Sequence, residues 1–409
     1  MFAPKLSIRD KFSVLKSVSQ NEISGSSKYV REFEKQFSDL NNRNYGVAVS
    51  NGSAALDVAL ELLSLKKGDE VIVPSHTIIS CLSAVIRTGA TPIFCDVDSL
   101  TWNMTLNNVK EKFSDNTKAV IAVHTFGLPA EISEISNFCK ENSLYLIEDA
   151  AEAHGQYENG SICGSFGDIS TFSFYANKHM TTGEGGMLLT NNKNFYEGAI
   201  QIRNLDFTRE RFKHNNLYWN YRLSGIQAAL GISQIKGLEK TINQKISQGE
   251  RYIKLLENNT DIFQLPLLKH NGSVNHFWVF GILLQKNGIR DKVVNELLNN
   301  VEGVSLFTGT IHGLFGQLFN KGKFDEIKEL YSKLKLKYDN SFYIEIQRHG
   351  DPNETSFEKF NLSKSLELKI PLIATNEVFY INKDMHEAHD ALICIKDCLL
   401  YTSPSPRDS

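Results

Sequence analysis

Between residues 45 and 148, β-rich runs alternate with helical stretches, one pair in about every twenty-five residues. The β-rich runs are 45–50, 70–74, 91–96, 119–124 and 144–148, and the helical stretches are 54–65, 79–88, 106–113 and 132–142. Strands that alternate with helices form right-handed crossovers. The sequence therefore predicts an α/β fold, a mostly parallel sheet with helices on both faces. Ligands of such sheets bind beyond the carboxyl ends of the strands.

A single lysine stands between two further apolar runs, 169–174 and 187–190. The segment from Ser173 to Met187 reads SFYANKHMTTGEGGM, and Lys178 is its lysine. The glycines of the Gly-Glu-Gly-Gly corner permit a positive φ and a close approach of ligand to backbone. One interpretation is a nucleophilic lysine that forms a Schiff base with an aldehyde cofactor. The alternative is a surface lysine next to a tight hairpin.

Two other strand ends carry candidate ligands. After the first predicted strand, Gly52, Ser53 and Ala54 lead directly into a helix, whose free N–H groups favour a phosphate. The same residues could form only a turn with an N-cap. After the run 144–147 comes Asp149, which could pair with a pyridinium nitrogen or could simply cap a helix.

The lysine segment resembles the active-site segment of the DegT/DnrJ/EryC1/StrS family, in which Ser-Phe-x-x-x-Lys precedes a Gly-Glu-Gly-Gly turn. These proteins are pyridoxal-phosphate-dependent sugar aminotransferases. The resemblance runs from about residue 23 to about residue 300 and is greatest to the perosamine-type members, which aminate 4-keto-6-deoxy sugars. It implies the type I fold of pyridoxal-phosphate enzymes. A cofactor-binding large domain would cover 1–240, and a long helix with a truncated small domain would cover 241–300.

The resemblance also implies roles for individual residues. Lys178 would hold pyridoxal 5′-phosphate, Asp149 would protonate its ring nitrogen, and Glu152 would contact the ring oxygen or the substrate. The cofactor phosphate would be bound by the turn that precedes the first crossover helix and by a serine: Gly52, Ser53, Ala54 and Ser173.

Two further positions bear on the cofactor pocket. Asn220, in an Asn-Tyr-Arg segment, would reach the phosphate held by the neighbouring subunit, which implies a homodimer; a long helix would follow over 226–256. Ile78 stands where the family has an aromatic residue stacked on the cofactor ring. Stacking would then be apolar or come partly from His76.

The activity implied is amino transfer, from glutamate to a nucleotide-linked 4-keto-6-deoxy sugar, in surface polysaccharide or deoxysugar biosynthesis. The alternative within the same fold is a nucleotide-sugar 3-dehydratase. Dehydratase relatives have histidine in place of the lysine and often a second histidine beside it, as at His179. The lysine at 178 favours the transaminase. His154 is interpreted as structural.

The last quarter of the chain departs from this family. The run 275–282 is predicted as a strand and 290–299 as a helix of the small domain, but from about 302 to 396 the sequence resembles the later part of the PHP domain of bacterial DNA polymerase III alpha subunit. The segments that carry this resemblance are 307–310, 343–350, 370–378 and 386–392. A partial α/β PHP-like fragment over 301–397 is expected.

No metal site is expected in this fragment, although it contains His349, His386 and His389. The PHP family's Asp-x-His pair appears here as Glu377-Val378-Phe379. Residues 398–409 look like translated sequencing adapter, so the chain is interpreted as a chimera. A polymerase fragment involved in nucleic-acid processing is the alternative of another class. At the junction, Phe277, Trp278 and Phe280 are expected to be less buried than aromatic residues of a finished domain.

Composition excludes some partners. The net charge of −3 provides no basic field for nucleic acid and no polybasic membrane patch. No apolar run approaches the length of a membrane span. The six cysteines are scattered, with no metal-binding spacing, which is typical of a reduced protein. A cytoplasmic enzyme without membrane or nucleic-acid partners is therefore expected.

Overall fold

The computed structural model describes residues 6–207, 214–259, 262–285, 306–307, 314–338, 342–346 and 354–374. The chain divides into two compact units, Met1–Lys286 and Asn287–Ser409.

A seven-stranded sheet forms the centre of the first unit. Its strands lie in the order β1-β9-β8-β5-β4-β2-β3. Neighbours from β8 to β3 are parallel, and β9 is antiparallel to both β1 and β8. The strands are β1 (Tyr45–Val49), β2 (Glu70–Pro74), β3 (Thr91–Cys95), β4 (Thr117–Val123), β5 (Tyr145–Asp149), β8 (Ile169–Ser173) and β9 (Gly186–Thr190). Between β5 and β8, the strands β6 (Tyr157–Glu158) and β7 (Ser161–Ile162) form a small hairpin.

Helices cover both faces of this sheet, as the alternation predicts. They are α1 (Ile8–Ser19), α2 (Lys28–Leu40), α3 (Gly52–Glu61), α4 (Ile79–Thr88), α5 (Leu106–Lys112), α6 (Ile132–Glu141), α7 (Lys193–Arg203), α8 (Gly225–Ile235) and α9 (Leu238–Leu256). Successive strand residues enter different cores: Ile121 packs with residues of α3 and α4, whereas Val120 and Ala122 pack with residues of α5 and α6. This period of two is the strand geometry that the hydrophobic runs require.

The long helix predicted over 226–256 is wrong in one respect. Two helices form instead, α8 and α9, with a break at Lys236 and Gly237. Ser224 begins α8 with a reciprocal capping box to Gln227. The amphipathic helix α2 begins at Lys28, after the N-cap Ser27.

The strand predicted over 275–282 is also wrong. That stretch is irregular and lies between short strands: β10 (Phe263–Gln264), β11 (Lys269–His270), β12 (Ser273–Val274) and β13 (Leu283–Leu284). Phe277 is buried, contrary to the expected exposure, while Trp278 and Phe280 are half-buried. The reason is Gly249 of α9: its missing side chain leaves room for the Phe277 ring, which a Cβ would approach to 2.3 Å.

The second unit has a small core of its own. In the part of this unit that the structure describes, three strands lie parallel: β14 (Leu306–Phe307), β15 (Phe342–Ile346) and β16 (Leu372–Ala374). The helices are α10 (Leu314–Asn320), α11 (Phe324–Tyr338) and α12 (Glu354–Leu368). The buried core consists of Phe315, Ile327, Tyr331, Phe342, Ile344, Phe357 and Ile370. This is an α/β arrangement of alternating strands and helices.

Several predicted features lie outside the described residues: the helix at 290–299, His349, Glu377 to Phe379, His386, His389 and the tail 398–409. No helix among the described residues combines the length and the apolar character that a membrane span needs.

Candidate active site

The candidate residues follow the ends of strands that point the same way. Asn51 and Gly52 follow β1, Asp149 ends β5, and the lysine loop follows β8. Since the carboxyl ends of these strands meet at one edge of the sheet, their loops converge. Gly52 lies so near the loop after β8 that a Cβ there would be 2.8 Å from the Cβ of Ser173.

The loop that carries Lys178 is fixed at both ends. The N–H of Phe174 donates to the carbonyl of Gly185. The carbonyl of Phe174 accepts from the N–H of Thr182 and from the hydroxyl of Thr181. Gly183 has a φ of +84°, a conformation that other residues rarely adopt, so the glycine corner is required where the chain turns toward β9. The Lys178 amide N–H donates to the Tyr175 carbonyl at 3.0 Å.

The Lys178 side chain, which is 10% exposed, lies between a carboxylate and an aromatic ring. Its Nζ is 3.4 Å from Oε1 of Glu152 and 3.6 Å from the ring centroid of Trp278. Burial lowers the pKa of Lys178, while the charges of Glu152 and Asp149 oppose that shift. A lysine with a lowered pKa has a larger neutral fraction at neutral pH, and only the neutral amine is a nucleophile.

Asp149 is a buried carboxylate with few donors. Its Oδ1 accepts from the N–H of Ala151 at 3.1 Å, and its Oδ2 accepts from the thiol of Cys81 at 3.5 Å. Burial raises the pKa of Asp149, and the Ala151 amide, Lys178 and Cys81 only partly offset this. Such an incompletely compensated acid favours a cationic partner placed beside it.

Glu152 connects the lysine to the loop after β4. Its Oε2 accepts from the N–H of Phe126 at 2.8 Å, and burial raises its pKa. Phe126 has a φ of +62°, an uncommon conformation for a bulky residue. Its ring meets those of His76 and Trp102 edge-on, with centroids 5.4 and 5.8 Å away.

The first turn of α3 could bind an anion. The Asn51 side chain caps the helix by accepting from the Ala54 N–H at 2.8 Å. Gly52 and Ser53 occupy the first helical positions, whose N–H groups have no carbonyl partner within a helix. The hydroxyl of Ser53 is 2.6 Å from that of Ser80, and the hydroxyl of Ser173 accepts from the Tyr175 N–H at 3.3 Å.

Trp278 was not recognised from the sequence as part of the site. Its Nε1–H donates to the carbonyl of Asn177 at 3.0 Å, which holds the indole against the Lys178 ammonium. A cavity of about 1140 Å³ opens beside Lys178, lined by 176–179, by one side of α9 and by Phe277 and Phe280. The only sequence signal was an aromatic pair, Phe277 and Trp278, directly after a polar stretch.

Three predicted residues lie further out on the surface. Asn220 is exposed, and its Oδ1 accepts from the Arg222 N–H at 3.3 Å. Ile78 is 60% exposed at the start of α4, and His76 is exposed beside Phe126.

Within the described residues, one group of possible metal ligands is buried: His124, Glu148 and Cys163. Its hydrogen bonds are already satisfied. Glu148 accepts from the N–H groups of Gly164, Phe166 and Gly167 and from Nε2 of His124. Because Nδ1 of His124 accepts from the N–H of Ala130, Nε2 carries the proton. The cluster is therefore explained as a structural network.

Comparison with known proteins gives the class. The sequence profile described as the DegT/DnrJ/EryC1/StrS aminotransferase family matches residues 7–332. GDP-perosamine synthase of Escherichia coli O157:H7 is 36% identical over 303 residues, which is 74% of this chain and 82% of that protein. The crystal structure of the aminotransferase TlmJ from Streptoalloteichus hindustanus is similar, with a TM-score of 0.69, 28% identity, and coverage of 74% of this chain and 82% of that one.

A related solved structure has a different activity. GDP-4-keto-6-deoxymannose-3-dehydratase matches with a TM-score of 0.67 and 25% identity, covering 72% of this chain and 82% of that one. The fold is thus that of a pyridoxal-phosphate-dependent aminotransferase of type I. More particularly, the chain belongs to the DegT/DnrJ/EryC1/StrS aminotransferase family.

Proposed function

We propose that the protein transfers an amino group from glutamate to a nucleotide-linked 4-keto-6-deoxy sugar, within deoxysugar or surface-polysaccharide biosynthesis. The observation that carries this proposal is the largely covered Lys178 side chain, which lies next to Glu152 and within the field of Asp149 at the carboxyl edge of the sheet. The similarity to GDP-perosamine synthase supports the sugar substrate.

The residues present fit pyridoxal phosphate in their chemistry. A glycine without a Cβ keeps the first turn of α3 open beside Ser173, an under-compensated acid lies at the end of β5, and a lysine with a lowered pKa follows β8. These are an anion site, a partner for a protonated ring nitrogen and a nucleophile. When bound, pyridoxal phosphate supplies an electron sink that stabilises negative charge on the substrate carbon.

Each residue has a defined task in this proposal. The N–H groups of Gly52 and Ser53, together with the Ser173 hydroxyl, would bind the phosphate. Ala54 would shape the turn, because its N–H already donates to the Asn51 side chain. Asp149 holds a proton on the ring nitrogen, because a carboxylate buried with so few donors is stabilised by a cation.

Lys178 would hold the cofactor through Nζ, and its amine would carry a proton to and from the substrate carbon. Its lowered pKa suits both tasks. Glu152 accepts a hydrogen bond from the Lys178 ammonium and so fixes its direction. Trp278 covers the amine and excludes water from it.

We propose a homodimer in which Asn220 completes the neighbouring subunit's phosphate site. Supporting this is the exposed apolar surface next to it: Leu217 is 99% and Trp219 68% exposed. Contiguous exposed apolar surface is typical of protein interfaces. The cysteines within the described residues are free and buried, which fits a cytoplasmic location.

The test is product analysis with a panel of nucleotide 4-keto sugars and glutamate as donor. An aminated sugar formed together with 2-oxoglutarate is the expected result, and Lys178→Ala should abolish it. Lys193→Ala is the matched control, because Lys193 is an exposed lysine that forms a surface ion pair with Glu197. A dehydrated sugar formed without loss of glutamate would instead favour the 3-dehydratase. His179 offers that alternative little support, since its ring is buried with Nε2 bound to the His276 carbonyl.

We also propose that the residues after about 300 come from a second coding sequence. The separate core of the second unit supports this, although the family match continues to residue 332 and so includes Phe315, Ile327 and Tyr331 of that core. A genomic read across codons 290 to 310 should fail to find the join, whereas an uninterrupted frame would refute it. Metal-dependent nuclease or phosphatase activity that survives Lys178→Ala would favour the polymerase alternative.

A further inference from the structure

Cys81 lies in the first turn of α4 and is completely buried. Its Sγ is 3.5 Å from Oδ2 of Asp149 and 3.5 Å from the hydroxyl of Thr77. Burial and the neighbouring Asp149 charge raise the pKa of this thiol well above its usual value, so the thiol stays protonated. A protonated thiol beside a carboxylate oxygen acts as the donor.

The two oxygens of Asp149 are held by different elements. The Ala151 N–H, from the segment after β5, binds Oδ1, and the Cys81 thiol, from α4, binds Oδ2. The charged and titratable groups that act on the carboxylate are Lys178, His124 and Glu152. Two donors on opposite oxygens fix the plane of the carboxylate and leave its remaining lone pairs free for a cation.

We propose that Cys81 is a positioning residue for Asp149. Its thiol keeps the carboxylate ionised and oriented, so that the proton shared between Asp149 and the ring nitrogen of the cofactor stays on that nitrogen. This inference rests on the proposed function. The shared proton can lie on the ring nitrogen, with Asp149 charged, or on Asp149, with the nitrogen neutral. A donor to Oδ2 stabilises the charged carboxylate more than the neutral acid, and removing it therefore moves the proton toward Asp149.

A thiol suits this task because it is a weak donor. It orients the carboxylate while leaving most of the negative charge for the ring nitrogen. Cys139 differs: it lies in α6, in the core on the opposite face of the sheet, and burial is the main cause that raises its pKa to about 12. Cys139 therefore provides a matched control for the loss of a buried thiol.

The experiment compares Cys81→Ala, Cys81→Ser, Cys139→Ala and Asp149→Asn in the full chain loaded with ¹⁵N-labelled pyridoxal phosphate. The ring-nitrogen chemical shift is followed against pH, and the cofactor Kd is measured by fluorescence. For Cys81→Ala we expect the shift to move toward the unprotonated value and the Kd to rise about 3- to 10-fold, the loss of one hydrogen bond. Cys81→Ser should restore most of the protonated signal, and Cys139→Ala should match the parent protein.

The outcomes separate the two claims. If Asp149→Asn removes the protonated signal while Cys81→Ala leaves it unchanged, the positioning role of Cys81 is refuted and the proposed function stands. If Asp149→Asn also leaves the signal unchanged, the role assigned to Asp149 in the proposed function fails. Should Cys81→Ala not fold, Cys81→Val replaces it, because valine fills the volume without donating; a parent-like signal in that variant equally refutes the inference.

Discussion

Two neighbouring carboxylates at the end of β5 have opposite environments. Glu148 accepts four hydrogen bonds, three from backbone N–H groups and one from His124, and these donors outweigh burial and lower its pKa. Asp149, the next residue, has one N–H and one thiol, and burial raises its pKa. Sequence shows two adjacent acids, but only the donors around each distinguish a structural carboxylate from one left available to a ligand.

The largest expected effect comes from exchanging each acid for its amide. Asp149→Asn should lower kcat/KM on the order of 10³-fold, since the charge that retains the ring proton is removed. Its free energy of unfolding without cofactor should stay equal or rise. An acid with a raised folded-state pKa contributes stability only below its unfolded pKa and loses it as the pH rises, so ionised Asp149 is destabilising at pH 7.

Glu148→Gln should do the reverse. The new NH₂ group would face backbone N–H donors in a fully buried site, and the free energy of unfolding should fall by about 3 kcal/mol. Urea titration of both variants without cofactor measures the difference. If the two amide variants lose the same free energy of unfolding, the different hydrogen-bond environments of Glu148 and Asp149 do not affect stability.

Next in size is the phosphate end of the site. In Gly52→Ala the new Cβ would meet Ser173 at 2.8 Å, so we expect the Kd for pyridoxal phosphate to rise about 10- to 100-fold from displacement of the helix N-terminus. Gly237→Ala is the control, because the nearest atom to a Cβ there is 3.6 Å away. Equilibrium dialysis measures the Kd of both variants. Equal Kd values would show that the first turn of α3 does not bind the cofactor.

The histidines extend the comparison to pH. His124 has both ring nitrogens bonded, whereas His179 and His276 each have a buried Nδ1 without a partner among the described residues. Burial lowers the pKa of His179 to about 3 and that of His276 to about 4. Below the unfolded pKa of about 6.5 the unfolded state binds more protons. The stabilisation that comes from keeping these histidines neutral is therefore fully present above that pH and is lost as the pH falls toward 3.

For His179 the loss between pH 7 and pH 5 should be about 2 kcal/mol. Urea titrations at the two pH values should show a smaller difference for His179→Gln than for the parent protein. His214→Gln, at an exposed histidine, should retain the parent difference. If His179→Gln loses as much free energy of unfolding between pH 7 and pH 5 as the parent protein, His179 is not the group that titrates.

The smallest effect is expected at the ring face of the cofactor. Ile78→Phe should lower the Kd for pyridoxal phosphate by less than about tenfold, because an aromatic pair adds about 0.5–1.5 kcal/mol beyond burial. Ile86→Phe, at another exposed isoleucine of α4, is the control. If both changes act alike, Ile78 does not face the cofactor ring.

Much of the fold could be predicted from local patterns. The alternation of strands and helices predicted the parallel sheet, and strand ends predicted where Gly52, Asp149 and Lys178 would meet. The contacts of Cys81 with Asp149 and of Trp278 with Lys178 could not be predicted. The first pair is 68 positions apart in the sequence and the second is 100 positions apart, so only the packing of the folded chain brings them together. The break at Gly237 and the irregular stretch 275–282 were missed because tertiary packing, such as Phe277 over Gly249, overrides local propensity.

The central claim is that Lys178 carries the cofactor, and chemical trapping tests it most directly. The protein is loaded with pyridoxal phosphate, treated with borohydride to make the lysine–cofactor bond permanent, digested and mapped by mass spectrometry. The account predicts a phosphopyridoxyl group on the peptide that contains Lys178, and no such group on that peptide in Lys178→Ala. The same modification found on another lysine of the cavity wall, Lys245 or Lys240, with Lys178 unmodified, would contradict it.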